Sequence, residues 1–263
     1  MSFENYFVRI TYELLKTNYK RFLELDISPE VYIDGISLSG ITEKEKEELG
    51  VILDNFGSHT IHAPFFDIST GGNDNEVRDL SFKKLSNVIE IGKKWSSKLV
   101  VIHYNYDRLY YGKSFDKWID RSEDFFKRLT DIPDHPLIAI ENIDDPSPDV
   151  ALELDRRVGS NRIIHCFDYG HHNVFGKISS TKWLKRIDAG KHIHFHFHDN
   201  DGSCDDHLPM GDGEIDWKKA KGDIIGLKSS FSVTLEPHSE RDLIRSLNYY
   251  RRKFLPEESK GFK

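Results

Sequence analysis

The sequence predicts a single α/β domain over residues 1–263, with eight strands that alternate with helices and close into a (β/α)8 TIM barrel. Three observations predict it. Eight short apolar runs rich in β-branched and aromatic residues recur along the chain, each too short for a buried helix. Longer amphipathic stretches separate them, and strands alternating with helices imply parallel pairing through crossovers. Finally, polar residues end six of the runs, and in such a barrel the active site is built at the strand ends and the loops after them.

The strand runs are YFVRITYE from Tyr6, VYIDG from Val31, HTIHA from His59, KLVVIHY from Lys98, PLIAIEN from Pro136, RIIHCFD from Arg162, KHIHFHFHD from Lys191 and FSVTLEP from Phe231. Between them, Leu80, Leu85, Val88, Ile89 and Ile91 recur near helical spacing. A second helix opens at Ser114, a candidate N-cap. A third has Ser147 and Pro148 as cap and first helical residue. ERDLIRSLNYYRRKF, from Glu240, closes the fold.

Composition narrows the function. With 38% hydrophobic and 31% charged residues the chain is neither disordered nor collagen-like. No apolar run approaches the ~20 residues of a membrane helix, so no membrane role is expected. Two cysteines, Cys166 and Cys204, are too few for a disulfide framework. The start MSFENYFVRI lacks the parts of a signal peptide, and a reducing, cytoplasmic location is expected. The net charge of -7 weighs against DNA as partner, because non-specific DNA binding leans on basic residues.

Histidine is the informative residue. Of 13 histidines, eight lie between His165 and His207, beside acids. Imidazole with carboxylate is the donor set that divalent metals such as zinc take. The residues ending the six runs are His62, His103, Glu141, Asp168, His198 and Glu236. His171 follows Asp168 by three positions, and Asp205 and His207 form an Asp-x-His pair in the next loop. In KHIHFHFHDN a period of two puts His192, His194, His196 and His198 on one strand face. His198, nearest the C-terminal end, is the best ligand, and the deeper ones need polar partners. At ~5 Å and an effective dielectric of ~20, each pair of like charges among Glu141, Asp168, Asp205 and Glu236 costs about 3 kcal/mol. Such a pocket needs protons or cations, and the histidines favour cations.

The stretches IHAPFFDIS, VVIHYNYD, IAIENID, HCFDYGHH, HFHDND, DDHLPMGDGEIDW and TLEPH resemble the xylose isomerase-like TIM-barrel superfamily. That superfamily includes the endonuclease IV (AP endonuclease family 2) branch and sugar phosphate isomerase/epimerase-like proteins. The endonuclease IV-like pattern implies three zinc ions on nine ligands. Residue by residue, His62 and His103 would bind one ion. Glu141 would bridge it to a second, completed by Asp168, His198 and Glu236. His171, Asp205 and His207 would hold the third, with His172 and Asp206 as nearest competitors. The chain departs from the DNA-cleaving members: its His198–Asp205 loop is shorter, and no arginine-rich DNA-inserting loop is evident.

The resemblance implies two enzyme readings. In the first, the protein hydrolyses a small phosphorylated substrate at a multinuclear zinc site, with manganese as the alternative metal. Three divalent ions against four carboxylates leave a site charge of about +2, which attracts phosphate. Glu141, Glu236 and Asp168 are then the catalytic residues. In the second, one divalent metal and a Glu141/Glu236 proton-transfer pair isomerise or epimerise a sugar or sugar phosphate. That reading gives His62, His103, Asp205 and His207 no task and ranks second. A third class is a binding barrel without catalysis.

Overall fold

The computed structural model describes Phe3 and residues 5–256. In chain order the elements are β1 (Tyr6–Thr11), α1 (Tyr12–Glu24), β2 (Ser28–Tyr32), α2 (Gly35–Gly40), α3 (Glu43–Leu53), β3 (Thr60–His62), α4 (Asn75–Lys94), β4 (Leu99–His103), α5 (Arg108–Tyr111), α6 (Phe115–Thr130), β5 (Leu137–Glu141), α7 (Asp149–Val158), β6 (Ile163–Asp168), α8 (Tyr169–Phe175), α9 (Ser180–Ile187), β7 (Ile193–Phe197), α10 (Trp217–Ile225), β8 (Phe231–Leu235) and α11 (Glu240–Lys253). The strands follow one another in sequence order and close as a parallel barrel. Each apolar run of the sequence supplies one strand. Among the described residues no helix is long and apolar enough to cross a membrane.

Four local expectations are corrected. β2 begins at Ser28, before its run, and stops at Tyr32, because Asp34 already caps α2 through the amides of Ile36 and Ser37. Ser114 caps nothing: a tight turn at Gly112–Ser114 leads straight into α6, and its hydroxyl donates to the Tyr111 carbonyl at 3.4 Å. Leu80 is 55% exposed. Ser81 takes the inward position instead, donating to the Val77 carbonyl and accepting from the Ser69 amide. α7 starts at Asp149, one residue after the expected Pro148, so the proline precedes the helix and does not open it.

The chain divides into two compact units. One comprises residues 10–141 and 149–164. Its centre is the parallel ladder β2–β3–β4–β5, whose register sets His103 beside Glu141. β4 is buried along its whole length, as a strand covered on both faces must be. α4 contributes Leu85, Val88, Ile89 and Ile91 to the core, and α6 contributes Trp118, Ile119, Phe125, Phe126 and Leu129.

The other unit holds the described residues up to Arg9, Asn142–Pro148, and those from His165 onward. β6, β7, β8 and the start of β1 pair in register. β7 shows the period-two division that its sequence predicts. Phe195 and Phe197 enter an aromatic cluster with Tyr169, Trp217 and Phe254, the Phe197–Trp217 centroids lying 4.8 Å apart. The histidines take the opposite face, where β8 supplies hydroxyls. His192 Nδ1 lies 2.9 Å from Ser230 Oγ and its Nε2 2.8 Å from Ser232 Oγ. His194 Nδ1 lies 2.7 Å from the same Ser232 Oγ, and its Nε2 3.0 Å from Thr234 Oγ1. Ser232 has one proton to give. It can therefore donate to at most one of the two rings, so at least one of His192 Nε2 and His194 Nδ1 must donate to it. These hydroxyls are the polar partners that the histidine stripe required.

Candidate metal centre

In the unit of residues 10–141 and 149–164, His62, His103 and Glu141 end β3, β4 and β5 and converge. All three are buried. Glu141 Oε2 lies 3.3 Å from His62 Nε2 and 3.1 Å from His103 Nε2. His62 Nδ1 lies 2.8 Å from the Ala63 carbonyl. A carbonyl only accepts, so Nδ1 carries a proton, and in that neutral tautomer Nε2 would turn its lone pair to the carboxylate. Two lone pairs at that distance repel unless a proton or a cation lies between them.

The same logic recurs in the other unit. Asp168 ends β6 and caps α8, accepting from the His171 amide at 2.7 Å. The cap fixes the D-x-x-H spacing by placing His171 in the first turn. His171 Nδ1 lies 2.8 Å from the Asn142 carbonyl, which turns Nε2 to within 3.3 Å of Asp205 Oδ2. Asp205 also faces His207 Nε2 at 3.2 Å and His198 Nε2 at 3.6 Å. The ligand atoms of His171, His198, Asp205 and His207 lie within 4.8 Å of one another. Four ligands roughly 2.0–2.1 Å from a tetrahedral zinc ion stand about 3.3 Å apart, close to the 3.2–3.6 Å that separates Asp205 from each of the three histidines. The residues present therefore fit a divalent ion. Burial works against charge on Asp205, but its contacts with His171 and His207 prevail and hold the carboxyl well below its usual range. Burial likewise opposes protonation of His207, yet Asp205 and Glu236 raise it above an ordinary imidazole.

His198 is shared. Its Nε2 lies 3.1 Å from both Asp168 oxygens, and its ring stacks on His207 with centroids 3.7 Å apart and planes 10° apart. The resemblance assigned His198 with Asp168 and Glu236, whereas the geometry also joins it to the His171, Asp205 and His207 group. Glu236, just past β8, lies 3.2 Å from His196 Nδ1 and 3.4 Å from His207 Nδ1. The competitors turn away. His172 Nε2 is taken by the Ile178 carbonyl at 2.8 Å, and exposed Asp206 accepts from Cys204 Sγ at 3.0 Å.

Sequence reasoning missed several supporting residues. Asn142 holds Asp168 as a strand neighbour would: its Oδ1 accepts from the Asp168 amide at 2.9 Å and its Nδ2 donates to the Asp168 carbonyl at 3.1 Å. Buried Asp199 organises the loop that carries Asp205 and His207. It accepts from the amides of Gly211 and Ile215 and from Trp217 Nε1, the last at 2.7 Å. The D in HFHDND was the only signal for it. Gly211 sits at φ +89° against the Tyr249 ring, where a side chain has neither the conformation nor the space. Arg9, the one charged residue inside the run YFVRIT, reaches Glu236 Oε2 at 3.5 Å. His238 stacks on His207 at 4.5 Å, and burial followed by the charges of His207 and Arg9 disfavours its protonation.

A family model described as "Xylose isomerase-like TIM barrel" matches residues 24–253. An uncharacterised protein of Methanocaldococcus jannaschii is 26% identical over 195 residues, 71% of this chain and 66% of that protein, so the chain spans just under two thirds of that relative's length. A D-tagatose 3-epimerase-like protein has a similar structure, with TM-score 0.82 and 20% identity, covering 95% of this chain and 96% of that one. A Thermus thermophilus protein soaked with ZnCl2 gives TM-score 0.74 at 17% identity over 94% and 97% of the two chains. Endonuclease IV from the same organism gives 0.68 at 17% identity over 94% and 98%. At these identities the structures establish likeness of fold.

Proposed function

Because the chain belongs to the xylose isomerase-like TIM-barrel family, we propose that it is a divalent-metal-dependent enzyme that hydrolyses a small phosphoester. The observation that carries this reading is the pair of imidazole–carboxylate contacts, His62 Nε2 on Glu141 and His171 Nε2 on Asp205, each at 3.3 Å with the other ring nitrogen committed to a carbonyl. Each geometry needs a proton or a cation between ring and carboxylate, and divalent ions held there suit phosphoester hydrolysis. The residues that would hold the ions are His62, His103 and Glu141, then Asp168, His198 and Glu236, then His171, Asp205 and His207, with His198 shared toward the last group.

Bound divalent ions would supply Lewis acidity toward phosphoryl oxygens. The protein's own groups do the rest. Asn142 and the first turn of α8 fix Asp168 and His171 so that neither ring nor carboxylate must reorganise. Asp168 or Glu236 orients the attacking water. Glu141 is held between two imidazoles, which fixes its carboxylate for an ion. Zinc is the expected metal, and the ZnCl2-soaked relative is consistent with that choice.

The second reading, isomerisation or epimerisation of a sugar around one ion by Glu141 and Glu236, is favoured by the likeness to the D-tagatose 3-epimerase-like protein. Elemental analysis of protein purified without added metal or chelator separates the two readings. Two or three ions per chain, with turnover of phosphoesters, support the first. One ion per chain, with turnover of ketoses or their phosphates, replaces it with the second.

A further inference from the structure

The group of His171, His198, Asp205 and His207 is built from two unlike halves. His171 rides on the first turn of α8 with Nδ1 on the Asn142 carbonyl, and His198 lies against Gly170 just past β7. Asp205 and His207 come instead from residues 201–207, of which 201–206 are exposed. The Asp205 side chain is 32% exposed, against 1% for His198. Among the described residues, the hydrogen bonds of Gly202, Ser203, Cys204 and Asp206 reach no further than Asn200. His207 sits at φ +50°, a conformation that disfavours any residue with a Cβ. The ends of this stretch are tied. Asp199 and Leu208 exchange both backbone hydrogen bonds, at 2.8 and 2.7 Å. The buried Asp199 carboxylate accepts from the Gly211 and Ile215 amides and from Trp217 Nε1. Further on, the Met210 amide donates to Ser246 Oγ of α11 at 3.2 Å.

We propose that residues 201–207 form a strap latched by a divalent ion, and that Asp199 is the positioning residue that sets where the strap closes. The inference rests on the metal-dependent reading above and makes the ion of this group the exchangeable one. The ion supplies the attraction that holds Asp205 and His207 to His171 and His198, and it offsets the cost of the left-handed His207. When it leaves, the ends of the strap stay fixed, because their bonds run to Asp199 and α11 and not to a ligand. The group of His62, His103 and Glu141 has no such segment: all three residues are buried at strand ends. Asp199 suits its role because a carboxylate only accepts, and three N–H donors converge on its two oxygens. An asparagine there would turn an NH2 group toward some of those donors.

The test is titration of chelator-stripped protein with cobalt(II), read by visible absorption and by hydrogen exchange of the backbone amides. In the wild type, cobalt should slow exchange of residues 201–207 about tenfold or more. The amides of Gly211 and Ile215 should already be slow without it. Asp199→Asn should weaken binding of one equivalent of cobalt about tenfold or more and alter its absorption spectrum, which a merely structural role would leave alone. Trp217→Phe, which removes one donor and guards against misfolding of the first variant, should act in the same direction more weakly. Exchange of residues 201–207 that ignores bound cobalt overturns the strap and leaves the metal-dependent reading standing. Wild-type affinity and spectrum in both variants overturn the role of Asp199. A wild type that takes up no cobalt overturns the metal-dependent reading and the strap with it.

Discussion

Gly170 lies flat against His198: a Cβ added to it would stand 1.9 Å from the imidazole Cε1. The helix turn that carries His171 is therefore also the wall that positions His198. Gly170→Ala must push that ring away from Asp168 and Asp205. Overpacking of this kind costs typically about 1–3 kcal/mol. The variant should lose part of its bound metal and melt several degrees lower, by elemental analysis and thermal unfolding. Unchanged metal content would show that His198 is not a ligand.

The His171, His198, Asp205 and His207 group should hold its ion independently of His62, His103 and Glu141. Asp205→Asn combined with His207→Ala should remove one equivalent of metal per chain. Glu141→Gln should lower metal content and reduce turnover by about a hundredfold or more, with the circular dichroism spectrum retained. A metal count that does not respond to the double substitution refutes a separate ion there.

Ser232 stands between His192 Nε2 at 2.8 Å and His194 Nδ1 at 2.7 Å. Ser232→Ala takes a partner from two rings at once, one of them fully buried. Leaving buried polar groups without partners costs about 1–3 kcal/mol each. Denaturant unfolding should show a loss in that range, and the 15N shifts of His192 and His194 should both move. Wild-type stability would mean that the hydroxyl contributes nothing to the stripe.

His59 and His192 predict a pH dependence. Burial lowers both to about 4. The unfolded chain titrates near 6.5, so between that value and about 4 it binds more protons than the folded chain. Stability is therefore full above about pH 6.5 and falls as pH drops through this window. For the buried His59 the loss reaches roughly 3 kcal/mol. Urea unfolding in the presence of chelator, at about pH 7 and about pH 4.5, isolates this effect from metal release. His59→Gln should flatten part of the slope, and an unchanged slope would remove His59 as its source.

Local sequence was enough to read the repeat of strand and helix, the residues that end each strand and the face that each β7 residue takes. These follow from local steric and solvent demands: the period of two in KHIHFHFHDN separates Phe195 and Phe197 from His194 and His196 wherever the strand sits. The DYGHH string likewise carries its own geometry, because Asp168 caps the helix on which His171 rides. Which distant groups meet is a matter of the folded chain. Nothing local says that Ser232 shares two imidazoles, that Asn142 braces Asp168, that His198 leans toward Asp205, or that Arg9 of the first strand faces Glu236 after the last. Those pairings depend on strand register and on loop paths organised by buried groups such as Asp199, and register is fixed by packing over the whole sheet rather than by the residues that it brings into contact.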